Sequence, residues 1–122
     1  MTNPFADSIK FMKAIDQSVD TANADQLKLY VDLISEEYQE LHDAIKEHDK
    51  VETLDALIDI LVVTIGAINS MGADGEGAWN EVMQTNFAKI DPETGKVRKR
   101  EDGKVLKPEG WKAPELEPFL AK

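Results

Sequence analysis

ETLDALIDILVVTIGAI, from Glu52 to Ile68, is apolar or small at nearly every position, yet Asp55 and Asp59 stand in the middle of it. Its length and its lack of alternation predict a helix, and a helix that is apolar most of the way round is a buried one. Ionised carboxylates in such a segment cost on the order of several kcal/mol each unless something pairs with them. No Lys or Arg occurs between Lys50 and Lys89 to do so locally. At about 100° per residue, Glu52, Asp55 and Asp59 fall within roughly 60° of one another and form one acidic stripe. The opposite flank, Leu54, Leu57, Ile58, Leu61 and Ile65, is the expected core face.

The segment before it has a matching feature. Asn23 or Asp25 can cap a helix from about Gln26 to His48, with Leu27, Tyr30, Val31, Ile34, Tyr38, Leu41 and Ile45 in one apolar sector. Glu37 and Glu40 project from the flank of that sector beside Leu33 and Ala44, while Glu36 points further outward. Taken alone, three glutamates on a helix are usually a solvated face. The short Glu47–Lys50 connection, however, makes the two helices antiparallel neighbours, so both acidic sets can face one cavity. Up to five carboxylates then converge: Glu37, Glu40, Glu52, Asp55 and Asp59. Like charges so close repel and push proton affinities up unless a hard cation neutralises them. Oxygen ligands without Cys or His select Mg²⁺, Mn²⁺ or Ca²⁺ over zinc or copper.

Outward from this pair, a first helix is expected from Pro4 to about Val19, with Asn3 as N-cap, and the third helix runs from about Val51 to Ser70 with Gly72 beyond its end. A shorter fourth helix spans Asp74 or Glu76 to Ile90. The expectation is thus an all-α four-helix bundle in a single domain over residues 1–122, its helical part at about 4–90. The tail, 91–122, is irregular or carries a short hairpin at Lys96–Lys107. Trp111, Leu116, Phe119 and Leu120 are expected to tie it down on the bundle or on a neighbouring chain. The apolar Leu61–Ile68 half of the third helix has more faces than one small bundle covers, which predicts a homodimer or a dimer of dimers.

Composition narrows the chemistry. The chain has no cysteine, so disulfides, thiolate metal sites and thiol nucleophiles are excluded, in keeping with a reducing cytoplasm. The opening MTNPFADSIKFMK lacks the basic-then-apolar order of a secretory signal, and no stretch is long enough to span a membrane. A net charge of −10 argues against nucleic acid as a partner. Its distribution is uneven: Asn86–Lys107 carries seven basic residues against four acidic ones, +3, which leaves −13 on the rest. An acidic body and a basic segment suit a metal–triphosphate complex. Neither His42 nor His48 follows a Glu-x-x-His pattern, Asp91–Asp102 has Lys96 where a calcium loop needs glycine, and there is no Gly-rich phosphate loop.

EEYQE, Glu36–Glu40, followed by ETLD, Glu52–Asp55, resembles the E-E-x-x-E … E-x-x-D signature of the all-α nucleoside triphosphate pyrophosphohydrolases. That superfamily comprises MazG, the dimeric dUTPases, dCTP pyrophosphatase and phosphoribosyl-ATP pyrophosphohydrolase. NFAKID, Asn86–Asp91, and REDGKVLK, Arg100–Lys107, are similar to the C-terminal part of short, often phage-encoded MazG-like proteins; the likeness covers about residues 25–115. It implies Glu37, Glu40, Glu52 and Asp55 as ligands to two or three Mg²⁺ ions, replaceable by Mn²⁺, with Glu36 supporting or positioning the water. Asn86 and Lys89 would approach the phosphates, as would some of the tail cations Arg98, Lys99, Arg100 and Lys104. Only eleven residues separate Glu40 from Glu52, so Asp55 with Asp59 is an alternative ligand pair, and both registers use Asp55.

The implied reaction is attack of water on the α-phosphorus of a nucleoside triphosphate, giving monophosphate and pyrophosphate in the cytoplasm, the host's if the protein is phage-encoded. A carboxylate among Glu36, Glu37 and Glu40 would accept the proton. The base is unassigned: dGTP, dUTP and dCTP are candidates, with Met12, Gln17, Trp79 and Asn80 as candidate contacts. The competing classes are a non-enzymatic acidic interaction module, such as a phage inhibitor mimicking DNA, and a divalent-cation buffer.

Overall fold

The computed structural model describes residues 3–120 and is all-helical, with four α-helices and one short 3-10 helix among them. The chain forms two compact units: one runs to Gly75 and includes Leu120, the other spans Glu76–Phe119.

The first unit holds α1 (Pro4–Ala14), α2 (Ala24–Lys46) and α3 (Lys50–Ser70). Each begins on a side chain that accepts an otherwise orphaned amide: Asn3 from Ala6 at 2.8 Å, Asn23 from Gln26 at 3.0 Å, and Asp49 from Glu52 at 3.0 Å. Helix α1 stops five residues short of the expected Val19. Asp16 turns left-handed at φ 59°, and the Gln17 amide donates back to the Met12 carbonyl at 2.9 Å. Helix α2 ends by the same device, with His48 at φ 56° and the Asp49 amide donating to the Ala44 carbonyl at 3.0 Å. Asp49 then caps α3 at once, so the two helices fold back on each other over three connecting residues, as an antiparallel pair. Gly72, at φ 72°, closes α3 as its position predicts.

The core gathers Met12, Tyr30 and Ala67, with Val19, Leu27, Leu33, Ile34 and Val63 packed around them. The buried side chains of Gln26 and Asn69 are hydrogen-bonded. Gln26 donates to the Ser18 carbonyl at 2.7 Å and to Ser70 Oγ at 2.8 Å, and accepts from the Ser18 amide at 3.0 Å. Asn69 Nδ2 donates to Ser8 Oγ at 3.2 Å, joining α3 to α1. At Gly66 a Cβ would stand 2.3 Å from the Tyr30 ring, so the glycine is what lets that ring lie across α3.

Two expectations about the faces are corrected. The flank Leu54, Leu57, Ile58 and Leu61 is 45–62% exposed, and of the five residues assigned to the core face only Ile65 is buried. Helix α2 instead meets the side of α3 that carries Ala56, Val63, Gly66, Ala67 and Ser70. Small residues spaced three and four apart admit close approach, whereas the bulky flank does not. On α2 the packed side is turned toward Glu37, which leaves Val31, Tyr38 and Ile45 exposed.

The second unit holds α4 (Gly75–Phe87, of which Gly75 itself belongs to the first unit), the tail, and the 3-10 helix Glu117–Phe119. Helix α4 ends three residues before the expected Ile90, because Ile90 leaves it to bridge Val97 across the Asp91–Lys96 turn. A second antiparallel bridge, Lys99 to Val105, closes the short hairpin expected there. Trp111 Nε1 donates to the Thr85 carbonyl at 2.7 Å and ties the tail to α4. Leu116 and Leu120 are 41% and 48% exposed.

Candidate functional site

Glu37 lies on the side of α2 that faces α3, and its Oε2 is out of reach of solvent with no hydrogen-bond partner. A buried, unpartnered carboxylate oxygen is costly and rare in a folded protein. The Glu37 carboxyl is pushed up to about 7, first by burial, then by its hydrogen bond with the Glu40 carboxyl and by repulsion from Glu40, Asp59 and Asp55. Asp59 is also raised, by burial first and then by Asp55 and Glu40. These couplings bring Glu37, Glu40, Asp55 and Asp59 together from two helices, as the sequence pattern predicts.

Glu52 joins through an adjoining groove of about 260 Å³. Glu40 and Asp43 line it from α2, Glu47 from the residue just past its end, Glu52 and Asp55 from α3, and the buried Ala44 and Ala56 form its floor. Alanine on both helices at the crossing point holds the two rows of carboxylates close. Asp43 and Glu47 were missed in the sequence reading, although they stand three and seven residues after Glu40 and so share its face. Glu36 is exposed and is not part of the groove lining. The ion pair Lys28–Asp32 of the same unit does not include these acids. Among the described residues no group of three or more acidic or imidazole side chains is closed to the spacing of a metal-ligand set.

The cations of the second unit fall into two places. Lys89 Nζ donates to Asn86 Oδ1 at 3.1 Å and lies 5.0 Å from the centre of the Trp111 ring, with Lys107 at 4.8 Å. Lys89, Arg98 and Lys107 line one pocket of about 180 Å³. Lys107, absent from the predicted site residues, is brought there by the hairpin. Arg100 is spent within its own turn, on both oxygens of Asp102 at 3.2 and 2.5 Å, and the Lys104 amide donates to the same carboxylate at 3.0 Å. The structure thus gathers Asn86, Lys89 and Arg98 but sets Arg100 and Lys104 apart from them.

No helix among the described residues is long and apolar enough to cross a membrane. The sequence model of the phosphoribosyl-ATP pyrophosphohydrolase family matches residues 8–86, about two thirds of the chain, and so takes in every carboxylate of the groove. No curated protein matches the chain.

Proposed function

The chain belongs to the phosphoribosyl-ATP pyrophosphohydrolase family, a branch of the MazG-like all-α pyrophosphohydrolases, and from that premise we propose that it hydrolyses a nucleoside triphosphate to monophosphate and pyrophosphate. The observation that carries this reading is the meeting of Glu37, Glu40, Asp55 and Asp59 from two helices, with Glu37 Oε2 shielded from solvent and lacking a hydrogen-bond partner. A cluster of oxygen donors with one orphaned buried oxygen fits a hard divalent cation. Glu37, Glu40, Glu52, Asp55 and Asp59 would hold two or three Mg²⁺ ions, or Mn²⁺, which offset the charge of a triphosphate and acidify a bound water.

The chain's own residues supply the rest. A carboxylate among Glu36, Glu37 and Glu40 takes a proton from the water attacking the α-phosphorus. Asn86, Lys89 and Arg98 are the groups of the second unit that would hold the outer phosphates and the leaving pyrophosphate, while Arg100, paired with Asp102, and Lys104 would do so only after leaving their turn. The exposed flank Leu54, Leu57, Ile58 and Leu61 meets a second copy, giving a homodimer or a dimer of dimers. The reaction belongs in the cytoplasm, where the nucleotide pool lies.

The test is product analysis with Mg²⁺ on each common dNTP and NTP and on phosphoribosyl-ATP, resolving mono- and diphosphate, phosphate and pyrophosphate. Monophosphate plus pyrophosphate is expected, with a loss of at least about a hundredfold in Asp55→Ala and Glu40→Ala. Diphosphate plus phosphate, or no turnover on any substrate with Mg²⁺ or Mn²⁺, overturns the proposal.

A further inference from the structure

Two lysines of the second unit stand at one indole. Lys89 Nζ lies 5.0 Å from the centre of the Trp111 ring and Lys107 Nζ 4.8 Å from it, so the two ammoniums are no more than about 10 Å apart. Like charges gathered at one ring repel each other, and the ring face answers neither with a full charge. No carboxylate does so either: among the described residues the ion pairs are Lys28–Asp32 and Arg100–Asp102. The acceptor that Lys89 has is the neutral Asn86 Oδ1, at 3.1 Å.

The backbone assembles this place from three segments. The Lys89 amide donates to the Asn86 carbonyl at 3.1 Å, in the turn that ends α4. The Ile90–Val97 bridge then sets the first arm of the hairpin beside that turn, one residue before Arg98. The Leu106 amide donates to the Arg98 carbonyl at 2.8 Å, which brings Lys107 to within one residue of Arg98 across the hairpin. Lys89, Arg98 and Lys107 accordingly line one pocket of about 180 Å³, walled by Ala88, Ile90 and Leu106. Pockets for drug-sized molecules begin at roughly 300 Å³, so this one suits a phosphate group rather than a base or sugar. Asp91, the acid of the lining, is turned to its own loop, where Oδ1 accepts from the Glu93 amide at 2.8 Å.

Trp111 is fixed in turn by the bond from Nε1 to the Thr85 carbonyl, at 2.7 Å. With the ring held, the lysines beside it are partly ordered in advance, which lowers the entropic cost of binding an anion. Lys89, Arg98, Lys107 and Trp111 all follow residue 86, where the family match ends.

We propose that Lys89, Arg98 and Lys107 form a binding site for a pyrophosphate group that needs no metal ion, with Trp111 as the positioning residue that holds both ammoniums at it. Two linked phosphates can reach two ammoniums this close, each through its own charge-assisted hydrogen bond. The inference deepens the hydrolase reading, from which it takes the identity of the anion, and adds Lys107 and Trp111 to Lys89 and Arg98. The group arrives either as the outer two phosphates of a bound triphosphate or as free pyrophosphate.

The test is calorimetric binding of inorganic pyrophosphate to the full chain in EDTA, where the carboxylates of the first unit hold no metal and repel the anion. Wild type should bind, and more weakly as salt is raised. Lys107→Ala should lower the affinity by about tenfold. Lys112→Ala removes the same charge one residue from Trp111 and should change it by less than about twofold. Both lysines are exposed, so these variants should fold, which circular dichroism checks. Trp111→Phe keeps an aromatic face and Trp111→Leu only apolar bulk, while both lose the bond to Thr85. A loss of about fivefold in Trp111→Leu, largely restored in Trp111→Phe, identifies the ring face as what positions the lysines.

Absent binding in EDTA, equal losses in Lys107→Ala and Lys112→Ala, or an affinity unchanged within about twofold in Lys107→Ala overturns the site. Equal losses in the two Trp111 variants overturn the role given to the ring. The site and the hydrolase reading fail separately. Pyrophosphate held through Lys107 by a chain that hydrolyses no triphosphate upholds the site alone, and turnover without metal-free binding leaves the hydrolase standing without it. In a chain that turns over, a higher KM in Lys107→Ala identifies the outer phosphates of the substrate as the ligand. Weaker inhibition by pyrophosphate at the same KM identifies the free anion.

Discussion

Replacing Glu37 by Gln keeps the shape of the side chain and removes one charge from a cluster of four. In the metal-free protein Glu37 ionises at about 7, against an ordinary 4.5. A carboxyl whose folded proton affinity is raised contributes stability below its unfolded pKa and loses it as pH climbs through the folded one. Wild-type stability in EDTA should therefore fall between about pH 4.5 and pH 7 and then level off. Taken at face value the shift corresponds to about 3 kcal/mol. Partial exposure of the side chain and the sharing of protons with Glu40 reduce this to about 1–2 kcal/mol.

Glu37→Gln should thus be more stable than wild type by about that amount at pH 8 and nearly equal to it at pH 5. Urea unfolding followed by circular dichroism at both pH values reads the difference directly. Mg²⁺ should stabilise wild type at pH 8 and the variant much less, since a ligand adds stability only through its affinity for the native state. A variant that is less stable than wild type at pH 8, or that gains the same amount at both pH values, refutes the claim that Glu37 is held ionised against its neighbours.

Gly66→Ala sets two effects against each other: about 1 kcal/mol gained in helix propensity, and a methyl placed 2.3 Å from the Tyr30 ring. Overpacking should win, with a net loss of about 1–3 kcal/mol measurable as a lower urea midpoint. Leu57→Glu or Leu61→Lys places a charge on the exposed flank of α3. Either should halve the mass seen by sedimentation if that flank joins two copies, while the helical circular dichroism of each chain persists.

Much of this protein is determined locally and is therefore legible in the sequence by itself. Asn3, Asn23 and Asp49 cap their helices because each can reach an orphaned amide within its own first turn. Gly72 and the Asp-Pro-Glu-Thr-Gly turn follow from backbone sterics, and the pairing of Glu37 and Glu40 with Asp55 and Asp59 follows from helical spacing and a short connection. The end of α1 was misread because the left-handed residue there is Asp16, not a glycine.

What only the tertiary structure decided is which side of each helix turns inward. Hydrophobicity pointed to Leu54, Leu57 and Leu61, but Ala56, Gly66 and Ala67 make the seam, because contact between helix backbones depends on the size of facing side chains and not on their polarity alone. That choice encloses Glu37, admits Asp43 and Glu47 to the groove, and lets Tyr30 reach across to Gln17. Each of these depends on residues far apart in the chain, whose meeting no local pattern specifies.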